Sequence, residues 1–364
     1  MRFGKWGRFA EKEWLLLASG VGLLTTSLYL KAPPTFLRAS EMEVLFLLWA
    51  LFVTVKGLEQ SRLFDYCASR IETKRFVALK LVVATFVLSM FVTNDVALLV
   101  IIPLTLQLQC RRRDILVILE AMAANAGSAL TPFGNPQNLF LYWFYGISAS
   151  EFLLCIAPFS LFFFLLLASI ASLVRTRTAH RSVQEDGAAT PIRISRSAWT
   201  HAAGLGLVVL CVLRALPLAA CLLIPIYSVA CDRRTLRVDY ALLLTFLFFF
   251  GLAEDVREIL SAQGLENTGH VFVLSALLSQ AMSNVPAALL FSRFTSQWQP
   301  LLWGVSVGGF GSLVASFANL IAYRLYVNHD SPERERFFLP KFLGFSYAMF
   351  LLGVGLYWVL RLES

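Results

Sequence analysis

Two stretches decide the fold: Thr93-Asn94-Asp95-Val96-Ala97-Leu98-Leu99 and Ser283-Asn284-Val285-Pro286-Ala287-Ala288-Leu289. Each reads Ser or Thr, then Asn, any residue, Val or Pro, Ala, any residue and Leu. Each also interrupts an otherwise apolar block, 76–109 in the first case and 270–292 in the second. The first block has 34 residues, too many for one crossing, since about 20 suffice. Arg70, Lys74 and Arg75 precede it and Arg111-Arg112-Arg113 follow it, so both ends belong on one side. Two full crossings would leave Asn94-Asp95 on the far surface with almost no loop. The expected form is a re-entrant hairpin whose tip stops inside the membrane, which is allowed where irregular backbone is buried in protein or lines a wet cavity.

Working outward, each tip is followed by a long apolar block, 114–145 or 299–327, broken by small and polar residues. The first break reads Gly127-Ser128, then Gly134-Asn135-Pro136-Gln137-Asn138-Leu139; the second reads Gly311-Ser312, then Ala318-Asn319-Leu320. Both run on through Asn-Leu-x-x-Tyr, to Tyr142 and Tyr323. Two ordered matches per half argue for an internal repeat. Asn94 and Asn138 are 44 positions apart, Asn284 and Asn319 only 35, so a shorter intervening loop is expected in the second half.

Of the 364 residues, 58% are hydrophobic and 15% charged, against about a quarter charged in an ordinary soluble domain. A water-soluble globule is excluded. Residues 152–174 carry no charge and suit a hydrocarbon layer of about 30 Å. The formal charge of +8 sits in short links between apolar blocks, so it speaks of membrane orientation and not of nucleic acid. Six scattered cysteines with no CxxC indicate neither disulfide framework nor metal site, and the four histidines form no HExxH. The block 14–30 follows basic residues but lacks a cleavage site, and it reads as a first transmembrane helix.

With a cytoplasmic N-terminus (1–13), hairpins at 76–109 and 270–292 and every other block crossing once, 22 of the 31 basic residues fall inside and six outside. Nine crossings result, with the C-terminus outside. The expected fold is an all-α polytopic membrane protein with inverted repeats, two re-entrant helical hairpins and two broken transmembrane helices. Residues 14–174 form the first repeat, 175–213 a cytoplasmic linker plus linking helix, and 217–360 the inverted second repeat. The lone helix turns the second repeat upside down, an architecture of secondary transporters.

Hairpin tips and helix breaks expose helix N-termini to anions and carbonyl ends to cations. Asn and Asp are costly in hydrocarbon, so Asn94-Asp95 must face protein or water. The candidate ion-binding residues are Thr93, Asn94, Asp95, Gly134, Asn135, Pro136, Asn138, Ser283, Asn284, Gly311, Ser312 and Asn319. Glu120 is either a proton carrier or a snorkelling end residue. Asn125 and Ser306 read as interhelical glue, worth about 0.6 kcal/mol each. Gly127 and Gly308-Gly309 serve either close helix packing or direct ligand contact. His201 and Arg214, on the linking helix, lie away from the paired motifs.

The two tips, each followed by a Gly- and Asn-containing broken helix, resemble the paired signatures of the ion transporter superfamily. That group includes divalent anion/sodium symporters, citrate-metal transporters, and arsenite and sodium/proton antiporters. The anion symporters carry Ser-Asn-Thr at both tips; here the tips are Thr-Asn-Asp and Ser-Asn-Val. The Gly134 to Asn138 break is similar to that of the symporters, whereas Asp after the tip Asn is closer to the arsenite and sodium/proton branches.

The resemblance implies a secondary active transporter working by alternating access. Its cargo is a small inorganic or organic anion, coupled to H⁺ or Na⁺, in a bacterial-type inner membrane. The alternative is a cation/proton antiporter or metalloid efflux permease on the same scaffold. Ionised Asp95 repels a dicarboxylate but binds Na⁺ or carries a proton. Asn94, Asp95 and Asn138 are therefore assigned to a first Na⁺ or proton site, with Ser283, Asn284 and Asn319 as its counterpart. Asp95 and Glu120 are the candidate proton carriers. No other cofactor is expected; the partners are the small ion, the bilayer and a second copy as homodimer. An intramembrane enzyme is disfavoured by the lack of HExxH, a GxGD pair or a Ser/His couple.

Overall fold

The computed structural model describes residues 13–31, 39–61, 63, 76–108, 112–174, 195–262, 270–329 and 332–362, and these are helical without any strand. The basic N-terminal segment 1–12, the basic residues 70–75, Arg111 and most of the linker, 175–194, lie outside the described residues.

The first part of the chain runs α1 (Trp14–Leu30), α2 (Ala39–Gln60), α3 (Val77–Phe91), α4 (Asn94–Gln107), α5 (Arg113–Ser128), α6 (Pro136–Phe144) and α7 (Ala149–Leu173). After α8 (Arg196–Val212) come a 3₁₀ turn at Leu218–Leu222 and the short α9 (Leu223–Cys231), behind Pro217. Then follow α10 (Tyr240–Ala262), α11 (Val271–Met282), α12 (Asn284–Phe291), α13 (Trp298–Gly308), α14 (Phe317–His329) and α15 (Pro332–Leu362).

Local sequence explains where the elements begin. Ser148 and Glu151 form a capping box that starts α7. Asn135 caps α6, its Oδ1 accepting from the Asn138 amide at 2.9 Å, and Pro136 occupies the first helical position, where its missing N–H costs nothing. The 25 residues of α7 rise about 37 Å, enough to cross a bilayer. By contrast α11 and α12, with 12 and 8 residues, rise only about 18 and 12 Å.

The helices that lead into the two breaks form the centre. Every residue of α5 from Leu116 to Ser128 is buried, and so is every residue of α13 from Pro300 to Gly308. Helix α5 packs on α3, α4, α7, α14 and α15; α13 packs on α11, α12, α15, α7 and α6. Leu154, Leu161 and Leu165 of α7 and Leu351 and Leu352 of α15 are exposed, an apolar surface a soluble monomer avoids but a bilayer solvates. Lipid gives helices no hydrophobic reason to associate, so close packing and polar contacts must do it. Gly127 provides one such approach: a Cβ there would run into the Phe86 carbonyl and the Ser89 hydroxyl. Gly308 does the same against Ser279 and the Ala276 carbonyl. Among the functions weighed for these glycines, close packing is the one this geometry carries.

Two polar contacts tie outlying helices together. Buried Asp255 of α10 accepts from Thr26 and Ser27 of α1 at 2.6 and 2.9 Å. Arg293, just after α12, is buried and pairs with Glu41 of α2, with Glu254 of α10 3.5 Å away. The expected shorter loop in the second half is not found. The connection is 292–297 there and 108–112 in the first half; the helices themselves are shorter, 8 residues in α12 against 14 in α4 and 11 in α13 against 16 in α5. The apolar run after the second tip simply ends sooner, at Ser292-Arg293, and the helix ends with it.

Candidate functional site

Each tip lies against the break of its own half. The Asn94 amide donates to the Gly134 carbonyl at 3.3 Å, and the Asn284 amide donates to the Ala315 carbonyl at 3.0 Å. Behind each contact a hydroxyl of the break reaches back to the helix before the tip: Thr131 Oγ1 to the Met90 carbonyl at 2.7 Å, and Ser312 Oγ to the Gln280 carbonyl at 2.8 Å. The breaks are held internally in the same way. Asn138 Nδ2 donates to the carbonyls of Ser128, Ala129 and Thr131 at 3.0 to 3.2 Å, and Asn319 Nδ2 to those of Gly309 and Ser312 at 3.0 and 3.1 Å. A severed helix leaves orphan carbonyls that lipid cannot satisfy, and these carboxamides satisfy them.

The matched bonds set a register in which Asn138 corresponds to Asn319, Gly134 to Ala315 and Thr131 to Ser312. Gly127 then corresponds to Gly308 and not to Gly311, so the expected pairing of Gly127-Ser128 with Gly311-Ser312 is corrected. Gly311 has its own reason: its φ is +100°, and a Cβ would strike the Gln280 carboxamide. Gln280 Nε2 donates to the Gly308 and Phe310 carbonyls at 2.9 Å, and its Oε1 accepts from the Ser312 amide at 2.8 Å.

Asn125, read from sequence as simple glue, is the hub. Its Oδ1 accepts from Asn94 Nδ2 at 3.1 Å and from Ser316 Oγ at 2.9 Å. Its Nδ2 donates to Asn319 Oδ1 at 2.8 Å and to the Gly309 carbonyl at 3.3 Å. The first tip is thus joined to the second break through one buried side chain. Ser306, its counterpart, has an Oγ without a partner. Among the described residues no hydrogen bond joins Asn94 or Asp95 to Asn138, whose buried Oδ1 is likewise without a partner.

Asp95 turns away from this network. Its amide donates to Asn94 Oδ1 at 3.1 Å, and the residue lines a cavity of about 170 Å³ with Thr93, Lys56, Glu59, Arg237 and Asp239. Lys56 is engaged by Glu59 at 2.8 Å. A second cavity, of about 130 Å³, reaches Ser283, Val285 and Pro286 of the other tip and Leu313, Val314, Ser316 and Phe317 of the other break. The two cavities share Asp239, Leu242 and Phe317 as walls. Ser283 sits there with φ 79°, a conformation that costs a non-glycine residue about 1 to 3 kcal/mol and persists only where surroundings enforce it. Glu120 is not an end residue: it is fully buried, with Thr105 Oγ1 2.5 Å from its Oε1. Arg214 reaches the carbonyls of Tyr142 and Ile147 at 3.3 Å, at the far end of α6 from the tips, and His201 pairs with Asp232, consistent with their place away from the motifs.

The described helices are apolar and carry two buried, carboxamide-held breaks, an arrangement that suits a multi-pass membrane protein. The sequence matches the citrate transporter family over residues 13–308, and the chain belongs to that family of secondary transporters. It is 33% identical over 356 residues to an uncharacterized transporter of Methanocaldococcus jannaschii, covering 94% of this chain and 96% of the relative. It is 35% identical over 331 residues to the inner membrane protein YbiR of Escherichia coli, covering 85% and 86%. A shorter match, 33% over 126 residues, is to the silicon efflux transporter LSI3 of rice, Oryza sativa, covering 32% of this chain and 26% of that protein.

Proposed function

We propose that the chain carries a small inorganic or organic anion across the inner membrane, coupled to H⁺ or Na⁺, by alternating access. In this reading 14–174 and 217–360 are inverted repeats, α3–α4 and α11–α12 are re-entrant hairpins, and the ion is held between their tips. The observation that carries it is the paired bonding of tip amide to break carbonyl in both halves, Asn94 to Gly134 and Asn284 to Ala315, bridged by Asn125. The shortness of α11 and α12 against a layer of about 30 Å supports the hairpins. An inner-membrane location follows from the likeness to YbiR, an inner membrane protein. Both cavities open beside Glu13, Lys56 or Arg237, on the side that the distribution of basic residues assigns to the cytoplasm, so the conformation is read as inward-facing.

Backbone amides at the starts of α4 and α12 favour an anion between the tips. Asn94, Ser283, Asn284, Ser316 and Asn319 supply neutral donors and acceptors, with Gly134, Asn135, Pro136, Gly311 and Ser312 shaping the breaks. A thermal-shift screen over small anions, citrate included, with and without Na⁺, selects the probe. Uptake of that anion into proteoliposomes then tests the site: Asn94→Ala and Asn284→Ala, each at normal membrane level, are expected to abolish it. Unchanged uptake in both sinks the assignment.

One observation favours the second reading, cation/proton antiport: Asp95 opens on a cavity that also holds Glu59 and Asp239. With Lys56 and Arg237 also in its wall, three carboxyl groups outnumber two cations, a lining that suits Na⁺ or a proton better than an anion. An imposed Na⁺ gradient drives proton movement without added anion only in the antiporter.

A further inference from the structure

Glu120 lies outside the network of tips and breaks, yet it is the one carboxyl in the helices leading into them that is sealed from solvent, at 0% exposure among the described residues. Its Oε1 accepts from Thr105 Oγ1 of α4, and its Oε2 has no partner. The register that matches Asn138 with Asn319 puts Leu301 at the same place in the second half, also at 0% exposure. Packing at this position therefore needs volume, and hydrocarbon supplies it in one half; the carboxyl is an addition. Among the described side chains on the elements packed against α5, the charged groups and histidines are Lys80 on α3, Asp95 on α4, Glu151 at the start of α7, Arg324 and His329 on α14 and Lys341 on α15. None hydrogen-bonds the Glu120 carboxyl. Lys341 is taken by Asp114, Glu151 by Ser148, and Asp95 lines its own cavity.

A carboxylate with one neutral donor and no cation is the form such a site tolerates least; a carboxylic acid fits it. Thr105 belongs to the arm that returns from the Asn94 tip, so any shift of α4 against α5 removes Glu120's sole hydrogen-bond partner and changes its access to water. Glu120 stands five residues from Asn125, about 7.5 Å along the same helix, close enough for its charge to be felt at the hub. We propose that Glu120 is a proton-binding site: a proton from water adds to the carboxylate at Oε2, and the same O–H bond breaks to return it to water when α4 moves. The protonation stands on the geometry alone; its use as the coupling step rests on the transport reading above.

The test needs no substrate. Infrared spectra of the purified full chain are recorded from acidic to alkaline pH, with the proton as the only ligand. One band of a buried protonated carboxyl is expected, lost reversibly at alkaline pH, absent in Glu120→Gln and retained in Asp95→Asn. Thr105→Val should shift its midpoint. Should Glu120→Gln fail to fold, Glu120→Leu, which copies the second half, serves instead. A spectrum unchanged by removing Glu120, or a Glu120 band that persists at every pH at which the protein stays folded, overturns the proposal. If the band behaves as expected but uptake of the selected anion shows no pH dependence lost in the same variant, the proton site stands and the coupling step fails.

Discussion

Replacing Asn125 with Ala removes four hydrogen bonds at once, two donated and two accepted. Interhelical hydrogen bonds in membrane proteins average about 0.6 kcal/mol each, which puts the loss near 2.4 kcal/mol. Alanine recovers about 0.6 kcal/mol of helix propensity, whereas Asn94 Nδ2 and Ser316 Oγ are left buried without acceptors, at about 1 to 3 kcal/mol apiece unless water reaches them. The expected destabilisation is about 2 kcal/mol where water reaches both groups and about 4 kcal/mol or more where they stay dry, read by reversible unfolding in mixed micelles. Ser306→Ala is the internal control: the corresponding position in the other half loses a hydroxyl that bonds nothing, so its cost should stay below about 0.5 kcal/mol. Equal costs for the two variants would refute the hub and return Asn125 to ordinary glue. Asn125→Asp separates geometry from chemistry. It keeps the acceptor for Asn94 but turns an oxygen toward the Gly309 carbonyl and Asn319 Oδ1, so transport should fall even where the fold is retained.

Three further outcomes follow from the packing. Arg293→Met removes the buried cation that pairs with Glu41, while Glu254 keeps Arg257; breaking a buried pair costs up to about 3 to 5 kcal/mol, so the melting temperature should drop, and a shift within error would show the cluster to be solvated. Gly127→Ala pushes a methyl into the Phe86 carbonyl and Gly308→Ala into the Ser279 side chain, for about 1 to 3 kcal/mol of overpacking each, while Gly344→Ala, with open space beside it, should be neutral or slightly stabilising by the same assay. Gln280→Met copies the residue that the first half has there, Met90, and removes the carboxamide that holds Gly308, Phe310 and Ser312; anion binding by thermal shift should weaken more than the unliganded melting temperature falls.

Much of this architecture was legible because polar residues inside apolar blocks have few tolerable explanations. Asn94-Asp95, Ser283-Asn284 and Gly134 to Asn138 each interrupt helix within a residue or two of the expected place, whereas α10 and α15 run ten residues beyond the apolar blocks 239–252 and 342–360, because helix continues past the apolar stretch into polar sequence. The pairing of glycines was not legible: Gly311 stands nearer to Asn319 in the chain than Gly308 does, and only the contacts of Gly127 and Gly308 with the preceding helices reveal which one carries the packing. The shorter helices of the second half were mistaken for a shorter loop, since a count between two Asn residues cannot tell helix from connection. Asn125 and Gln280 are not legible as organisers for one reason. A lone carboxamide in a helix has the same appearance whether it bonds one neighbour or four, and its partners come from the opposite end of the chain. Chain proximity places Asp95 beside Asn94 in the sequence, whereas the structure puts Asp95 in the wall of a cavity and Asn94 on Asn125. Successive helical residues point about 100° apart, and that rotation sends Asp95 to the cavity.

The inverted arrangement is the central claim, and the bases of the two hairpins test it most directly. In a background with the six native cysteines replaced, single cysteines at Arg112 and at Gln297 are treated with a membrane-impermeant maleimide. The account predicts that Gln297→Cys labels in intact cells and that Arg112→Cys labels only once the membrane is opened. Labelling of both from the same side would contradict it.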